Sequence, residues 1–404
     1  MSLSSPSLIR MQGLVGLKLK VILYFIISGI IHVSTNSAAE VTMTASGASR
    51  LEYNDNIMFS RTNPDDDMIL LIRPGLDLGY KTEQLELSSE ISADILRYKK
   101  HSNLNGEYVS LDMEGRLNPV ERLQLNAGIS GIKDTTLDSE LQETGILITR
   151  DNRMTLNADG GVSYNINEQS DVGIAYSFAK IDYDSENNTG YKGDSISLTY
   201  NRRMMNMKDV FTLQPYCSRN DSGMYNVENL GLYGGWARQI NETWSLSAAL
   251  GVRRTKTSYL LGNLFLWEEK KWGGLADISL KKSCETWGVD VGLNRDLSYS
   301  TYGDPIETDR LNLELRKDIS EALSGIISVS LSKSESDSNL SRSLRRDSWY
   351  LSINPSLRYK IAKRIRLDLS YSYSYDNNRL LKASRGVDRD IFRIALNYGF
   401  LKQL

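Results

Sequence analysis

Polar side chains, many of them charged, recur at every second position within short segments of this chain. Glu86, Glu90 and Asp94 alternate with Leu85, Leu87, Ile91, Ala93 and Ile95, and Asp112 and Glu114 follow on the next segment of the same kind. A basic set, Arg73, Arg310, Arg316, Arg358, Arg366 and Arg393, is interleaved with Glu314 and Asp368. A third set carries hydroxyls and amides: Ser352, Asn354, Ser356, Ser370, Ser372 and Ser374, with Ser195, Ser197, Thr199, Asn201, Ser328 and Ser330. At a spacing of two, such groups project from one face of an extended chain. Their chemistry is to hold water, steer ions and hydrogen-bond polar solutes, and carbohydrate suits the hydroxyl-rich set.

Covalent chemistry has little to work with. Beyond residue 39 the only histidine is His101, in a polar stretch, so a Ser-His or Asp-His mechanism has to pass through it. Nothing in the pattern sets a Ser or Asp beside His101 in a catalytic arrangement, and an exposed loop histidine is expected. No metal-ligand spacing or phosphate-binding glycine loop occurs, so neither metal nor cofactor is expected. The run Asp65-Asp66-Asp67 reads as a solvated loop tip, with a divalent cation near lipopolysaccharide phosphates as the sharper alternative.

The element able to carry a wet face and an oily face together is a strand in a closed sheet, one side against lipid and the other on a water-filled lumen. About eighteen segments qualify: Val41–Tyr53, Met68–Tyr80, Gln84–Tyr98, Tyr108–Leu117, Arg122–Lys133, Arg153–Asn165, Asp171–Asp182, Gly193–Arg203, Asp209–Ser218, Val227–Arg238, Thr243–Arg254, Lys271–Lys281, Thr286–Leu297, Thr308–Lys317, Leu323–Ser334, Ser348–Tyr359, Ile365–Tyr375 and Arg389–Leu401. Their links alternate between tight and long. Thr82–Glu83 and Lys360–Arg364 are tight, whereas Asn54–Asp67, Asp134–Asn152, Asn220–Asn226 and Thr255–Lys270 are long and polar. That alternation predicts an all-β, transmembrane antiparallel β-barrel with short periplasmic turns, long external loops and both termini periplasmic. The count falls to sixteen if the first segment, weakest in pattern, and the least turn-like link, Met204–Lys208, are discounted. A soluble sandwich or propeller would use the same apolar faces as a core, but would not sustain the loop alternation.

The period assigns outward faces to Leu311, Leu313 and Leu315, to Leu351, Ile353, Pro355, Leu357 and Tyr359, to Leu367, Leu369, Tyr371, Tyr373 and Tyr375, and to Phe392, Ile394, Leu396, Tyr398 and Phe400. Tyr80, Tyr98, Tyr164, Trp244, Trp272, Trp287 and Trp349 at segment ends suit rings at headgroup level. The charged residues named above then line the lumen, an acidic wall facing a basic one. Asp134–Asn152, the longest loop, carries the apolar stretch Gly145 to Ile148, which either folds inward as a constriction or extends the wall.

The first 39 residues read as a signal peptide. Arg10, Lys18 and Lys20 precede the apolar run Val21 to Val33, and Ser37, Ala38 and Ala39 form a small-residue cleavage site, which leaves 40–404 as the barrel. Removing three basic residues takes the net charge from −2 to about −5, too weak to imply a nucleic-acid partner. No apolar run beyond residue 40 approaches the roughly 20 residues of a spanning helix. Cys217, near the outer end of a segment, reads as a small buried hydrophobe and Cys284 as a turn residue at the other rim, so no disulfide is expected.

The opening Ser49-Arg50-Leu51-Glu52-Tyr53-Asn54-Asp55-Asn56, followed by Ile72-Arg73-Pro74-Gly75-Leu76-Asp77-Leu78-Gly79-Tyr80-Lys81-Thr82-Glu83, resembles the start of the outer-membrane β-barrel porin family found with exopolysaccharide and exosortase loci. The resemblance covers about the first sixty mature residues. It implies an integral protein of a Gram-negative outer membrane that takes part in polysaccharide export beside periplasmic export proteins. It brings no catalytic or binding motif, and the ending Phe400-Leu401-Lys402-Gln403-Leu404 departs from the usual terminal aromatic residue. Three functions stay open: an export channel, a passive diffusion porin for small polar solutes or sugars, and an enzyme or adhesive barrel resting on His101 alone. The expected partners are outer-membrane lipid, lipopolysaccharide, the barrel-assembly machinery, and a polysaccharide or small solute.

Overall fold

The computed structural model describes residues 39–137, 150–185, 188–261, 264–299, 304–336, 346–378 and 386–403. The signal segment before Ala39 and the stretch Gly145–Ile148 lie outside the described residues. Eighteen strands form one sheet: β1 (Glu40–Asn54), β2 (Asp67–Lys81), β3 (Leu85–Tyr98), β4 (Gly106–Val120), β5 (Leu123–Thr135), β6 (Asn152–Asn167), β7 (Ser170–Tyr183), β8 (Tyr191–Arg203), β9 (Asp209–Asp221), β10 (Tyr225–Gln239), β11 (Trp244–Leu261), β12 (Leu264–Ser283), β13 (Trp287–Tyr299), β14 (Pro305–Asp318), β15 (Leu323–Ser336), β16 (Arg346–Ala362), β17 (Ile365–Asn378) and β18 (Val387–Gln403). Each strand pairs antiparallel with its neighbours, and β1 pairs with both β2 and β18, so the sheet is closed. Closure satisfies every strand edge internally, which a bilayer core demands.

Residues directly opposite across an antiparallel pair share a face, so the register carries one assignment around the barrel. Leu51 stands opposite Ile394 and Leu70, and Tyr53 opposite Phe392 and Met68. Further along, Leu311 meets Leu293 and Leu331, Ile327 meets Leu315 and Pro355, and Leu357 meets Leu369. Apart from the half-buried Leu331 and Pro355, the apolar side chains of these pairs, such as Leu51, Leu70, Phe392, Leu311 and Leu357, are exposed, as expected of a wall whose solvent is lipid. Trp244 and Trp287 sit on this face near the short turns with the Lys282 ammonium over both rings, at 4.9 and 4.4 Å. Such rings mark the headgroup level, and the turns beside them are the periplasmic rim.

The first strand is fully paired, so the count is the expected eighteen. Three expectations are corrected. The link after β9 is only Ser222–Met224, with Gly223 at φ +80 completing a tight turn. Residues 255–261 and 264–270 continue β11 and β12, whose pairing climbs to Leu261 opposite Leu264. Cys217 stands opposite Ile196 and Leu230 on the outer face and is exposed.

Candidate channel interior and its outer constriction

The register places Arg73, Glu86, Glu90, Asp94, Asp112, Glu114, Arg310, Glu314, Arg316, Ser352, Asn354, Ser356, Arg358, Arg366, Asp368, Ser370, Ser372, Ser374 and Arg393 on the face opposite the lipid-facing residues. The basic set runs from β14 through β18 to β2, so it adjoins the acidic β3 and β4 on one side, while Arg310 and Arg316 on β14 stand nearly across the barrel from them. β2 adjoins β3, and the two sets meet in a bidentate pair between Arg73 and Asp94. On the acidic side Asp77, Glu90 and Asp112 stand in one row across β2, β3 and β4.

The basic set is partly neutralised on its own strands. Asp368 lies 3.5 Å from Arg358 and 3.2 Å from Arg366, Glu314 is 3.0 Å from Arg316, and Glu52 is 2.7 Å from Arg393 and 3.5 Å from Arg50. Arg310 stands between Asn294 and Ser332. Three of the serines, Ser352, Ser372 and Ser374, are buried, and Asn354 donates to the Ser352 Oγ at 2.8 Å. What covers the outer part of this wall is the first external loop, residues 55–66.

That loop turns inward because of the Tyr53-Asn54-Asp55-Asn56 segment. The Asn54 Oδ1 accepts the Asn56 N–H at 3.0 Å, and the Asp55 carboxylate accepts the Asp390 N–H at 2.7 Å. The Asn56 amide donates to the carbonyls of Ser60 and Asp388 at 3.0 and 3.1 Å and accepts the Ser60 N–H at 2.7 Å. Burial raises the Asp55 carboxyl above its usual range. The chain then brings Phe59 into a cluster with Leu137, Tyr350 and Val387, with the Arg389 guanidinium 5.1 Å above the ring. Phe59 adopts φ +49, which costs a non-glycine residue about 1–2 kcal/mol, and burying its ring offsets that by roughly 1.5–3 kcal/mol. Arg61 reaches Asp376 on β17 at 3.2 Å.

A second cluster, Ile57 with Ile69 and Tyr98, fixes the other side of the loop, so Tyr98 faces inward and is not part of a lipid-facing belt. Above it, the acidic run clamps loop one to the segment after β3. Asp67 is fully buried; it accepts the N–H groups of Lys100 and His101 at 3.0 and 2.9 Å and faces the His101 Nδ1 at 3.0 Å. Asp65 lies 2.8 Å from the His101 Nε2 and Asp66 2.6 Å from the Lys100 Nζ. Two aspartates therefore flank His101, against the expectation from sequence. The clamp occupies both ring nitrogens, which leaves neither to serve a nucleophile. Its hydrogen bond to Asp67, with Asp65 beside it, raises the His101 pKa. The Asp66–Lys100 hydrogen bond likewise lowers the Asp66 carboxyl and raises the Lys100 ammonium.

The largest departure from expectation is the β13–β14 hairpin. β12 continues upward to Leu264, but its pairing with β13 stops at Ala276 opposite Arg295. Beyond that point the hairpin leaves the wall and crosses the inner side of the mouth. The Tyr299 hydroxyl is 3.3 Å from the Asn229 amide on β10, and its ring lies 5.6 Å from that of Tyr191 on β8, five strands away. Arg253, on the inner face of β11 and 2% exposed, holds the hairpin. It lies 3.6 Å from Asp296 and 3.3 Å from Glu307, and its Nε donates to the Thr255 Oγ1 at 3.0 Å. Gly273 leaves room for this latch, since a Cβ there would come within 2.7 Å of the Arg253 guanidinium. Beneath the hairpin the rings of Tyr216 and Tyr233 stack at 5.7 Å.

Sequence reasoning missed Arg253, Asp296, Glu307 and Tyr299. Their segments alternate like any other strand, and only the unusual length of 255–270 hinted that one hairpin stands apart from its neighbour.

No protein-family model matches the chain, and no curated protein is similar to it in sequence. In overall structure it is similar to the outer membrane protein OpdK from Pseudomonas aeruginosa (TM-score 0.46, 10% identity, 89% of this chain and 99% of that one). It is also similar to OccK2 (OpdF) of that organism in complex with glucuronate (TM-score 0.49, 12% identity, 90% and 98%) and to OccAB4 of Acinetobacter baumannii (TM-score 0.48, 10% identity, 90% and 98%).

Proposed function

We propose that this chain, exported by a signal peptide cleaved after Ala39, is a passive outer-membrane channel for small polar solutes. One observation carries the reading: a closed barrel with a polar inner face whose mouth is narrowed from within by the Arg253-latched β13–β14 hairpin and by loop one. A barrel of eighteen strands encloses more room than side chains fill. A passage of that width with charged groups at its narrowest part admits solutes by size and charge, and it does so without a chemical step. Export of an exopolysaccharide, the reading implied by the family resemblance, needs a mouth open to a polymer. The buried serines beneath loop one are not offered to a sliding sugar chain.

Swelling of proteoliposomes in sugars of increasing size tests this. The wild-type barrel passes monosaccharides and excludes oligosaccharides, and Arg253→Ala, which frees the hairpin, raises the size limit. An impermeable wild-type barrel overturns the channel reading. If a deletion strain traps surface polymer in its periplasm while small-sugar uptake is unchanged, export is the function.

A further inference from the structure

The lipid-facing side of the wall carries a trench of about 750 Å³ that runs from β14 across β18 and β1 to β2. Its lower edge is one row of outward residues in register, Lys317, Gly325, Leu357, Leu369, Ile394 and Leu51. Its upper edge is the next outward row, two residues further up each strand, from Leu315 to Tyr53. From β14 to β2 such a row crosses the sheet at roughly 4.8 Å per strand, about 29 Å in all. A strand tilt of about 40° turns that length into a climb of roughly 18 Å from the periplasmic rim.

Two residues deepen the trench. Pro355 has no N–H to give, and the β16–β17 ladder skips from Ile353 to Ser356 around it. Gly325 leaves a gap between Lys317 and Leu357. A Cβ there would stand 3.4 Å from the Leu357 Cδ2 and 3.8 Å from the Ile319 Cδ1, which are ordinary contacts, and its φ is not positive. Neither packing nor backbone conformation requires glycine at this position, so the space is open to what lies outside the wall.

The periplasmic end of the trench is cationic. Lys317 stands opposite Trp287, and the Lys282 ammonium lies 4.4 Å over the same ring, so two lysines flank one indole at headgroup level. Neither ammonium pairs with a carboxylate among the described residues, and no carboxylate lines the trench. Glu285 and Glu321 belong to the adjoining turns, on the aqueous side of the two lysines.

We propose that the trench seats one anionic glycerophospholipid of the periplasmic leaflet, with an acyl chain along the two rows and the phosphate between Lys282 and Lys317. Lipid tails are as apolar as the wall, so burial alone selects no lipid. The lysines supply the selection, since a basic residue at an anionic lipid surface favours binding by about fivefold. Lipopolysaccharide phosphates stand at the opposite rim, out of reach of both ammoniums. Such a site is independent of what the channel passes.

Native mass spectrometry of the detergent-solubilised barrel, titrated with phosphatidylglycerol or phosphatidylcholine of the same chains, tests this. Wild type is expected to hold one phosphatidylglycerol at least about tenfold more tightly than phosphatidylcholine. Lys282→Ser with Lys317→Ser should abolish that preference. Gly325→Leu fills the trench, keeps both lysines, and should weaken phosphatidylglycerol binding by about fivefold or more. Lys180→Ser with Lys256→Ser, an equal loss of charge toward the external ends of β7 and β11, should stay within about twofold of wild type. On the wild-type protein, phosphatidylglycerol should protect Lys282 and Lys317 from acetylation and phosphatidylcholine should not, which gives the same answer if a variant fails to fold. No preference for phosphatidylglycerol, equal weakening by the two doubles, an unaffected Gly325→Leu, or unprotected lysines overturns the site. A dimer whose formation excludes phosphatidylglycerol assigns the trench to a second copy of the chain and overturns it as well.

Discussion

Leu313 and Glu314 are sequence neighbours on opposite sides of the β14 wall, and introducing arginine at each separates lipid from lumen by one residue. Leu313 lies on the outer face between Val291 and Val329. It is five residues above Asp318 at the periplasmic end of the strand. At a rise of roughly 3.4 Å per residue and a tilt of about 40°, that puts it roughly 13 Å up a band about 25 Å tall, near the midplane. Arginine there costs roughly 2–4 kcal/mol. Glu314 faces inward, opposite Asp290 and Ser328 and beside Arg316. Glu314→Arg deprives Arg316 of its partner but stands opposite Asp290, so the net change in a wet lumen stays within about 1 kcal/mol. Denaturant unfolding of the barrel in lipid vesicles, followed by tryptophan fluorescence, measures both. Leu313→Arg should shift the unfolding equilibrium by roughly 30- to 700-fold and Glu314→Arg by less than about fivefold. Equal shifts would refute the assignment of faces, and with it the lipid-facing reading of every strand tied to β14 by register.

Three further outcomes follow from the loops and the cysteines. Asn56→Ala removes the amide that joins loop one to Ser60 and Asp388, at about 1–3 kcal/mol for the groups left unpaired, so limited proteolysis should cut residues 55–66 faster while the barrel stays intact. Because the folded His101 pKa is raised above its ordinary value of about 6.5, the clamp is fully formed below that value and weakens as pH rises through the folded one. Titration of His101 by NMR, with loop-one cleavage measured in parallel, should show both changing together above the ordinary value, and His101→Gln should abolish the pH dependence. A membrane-impermeant maleimide should react with Cys284 at the periplasmic rim only after the outer membrane is permeabilised, and with Cys217 only after detergent replaces lipid. Labelling of Cys217 on intact cells would place it off the lipid face.

The sequence by itself determined the barrel, because an alternation of period two is local and every segment carries it. Leu311, Leu313 and Leu315 had one face available to them whatever their neighbours did, and the tight links Thr82–Glu83 and Lys360–Arg364 set the rim at which the chain turns back. Tertiary structure alone decided how the mouth is shaped. Whether a hairpin stays in the wall or folds inside depends on partners far away in the chain, such as Arg253 for Asp296 and Glu307, Asn229 for Tyr299, or Tyr350 and Val387 for Phe59. Those contacts have no period, so strand patterning cannot announce them. For the same reason Asp65 and Asp67 read as a solvated run until the fold set His101 between them, and the acidic and basic walls read only as opposed until closure also made them adjacent at Arg73 and Asp94.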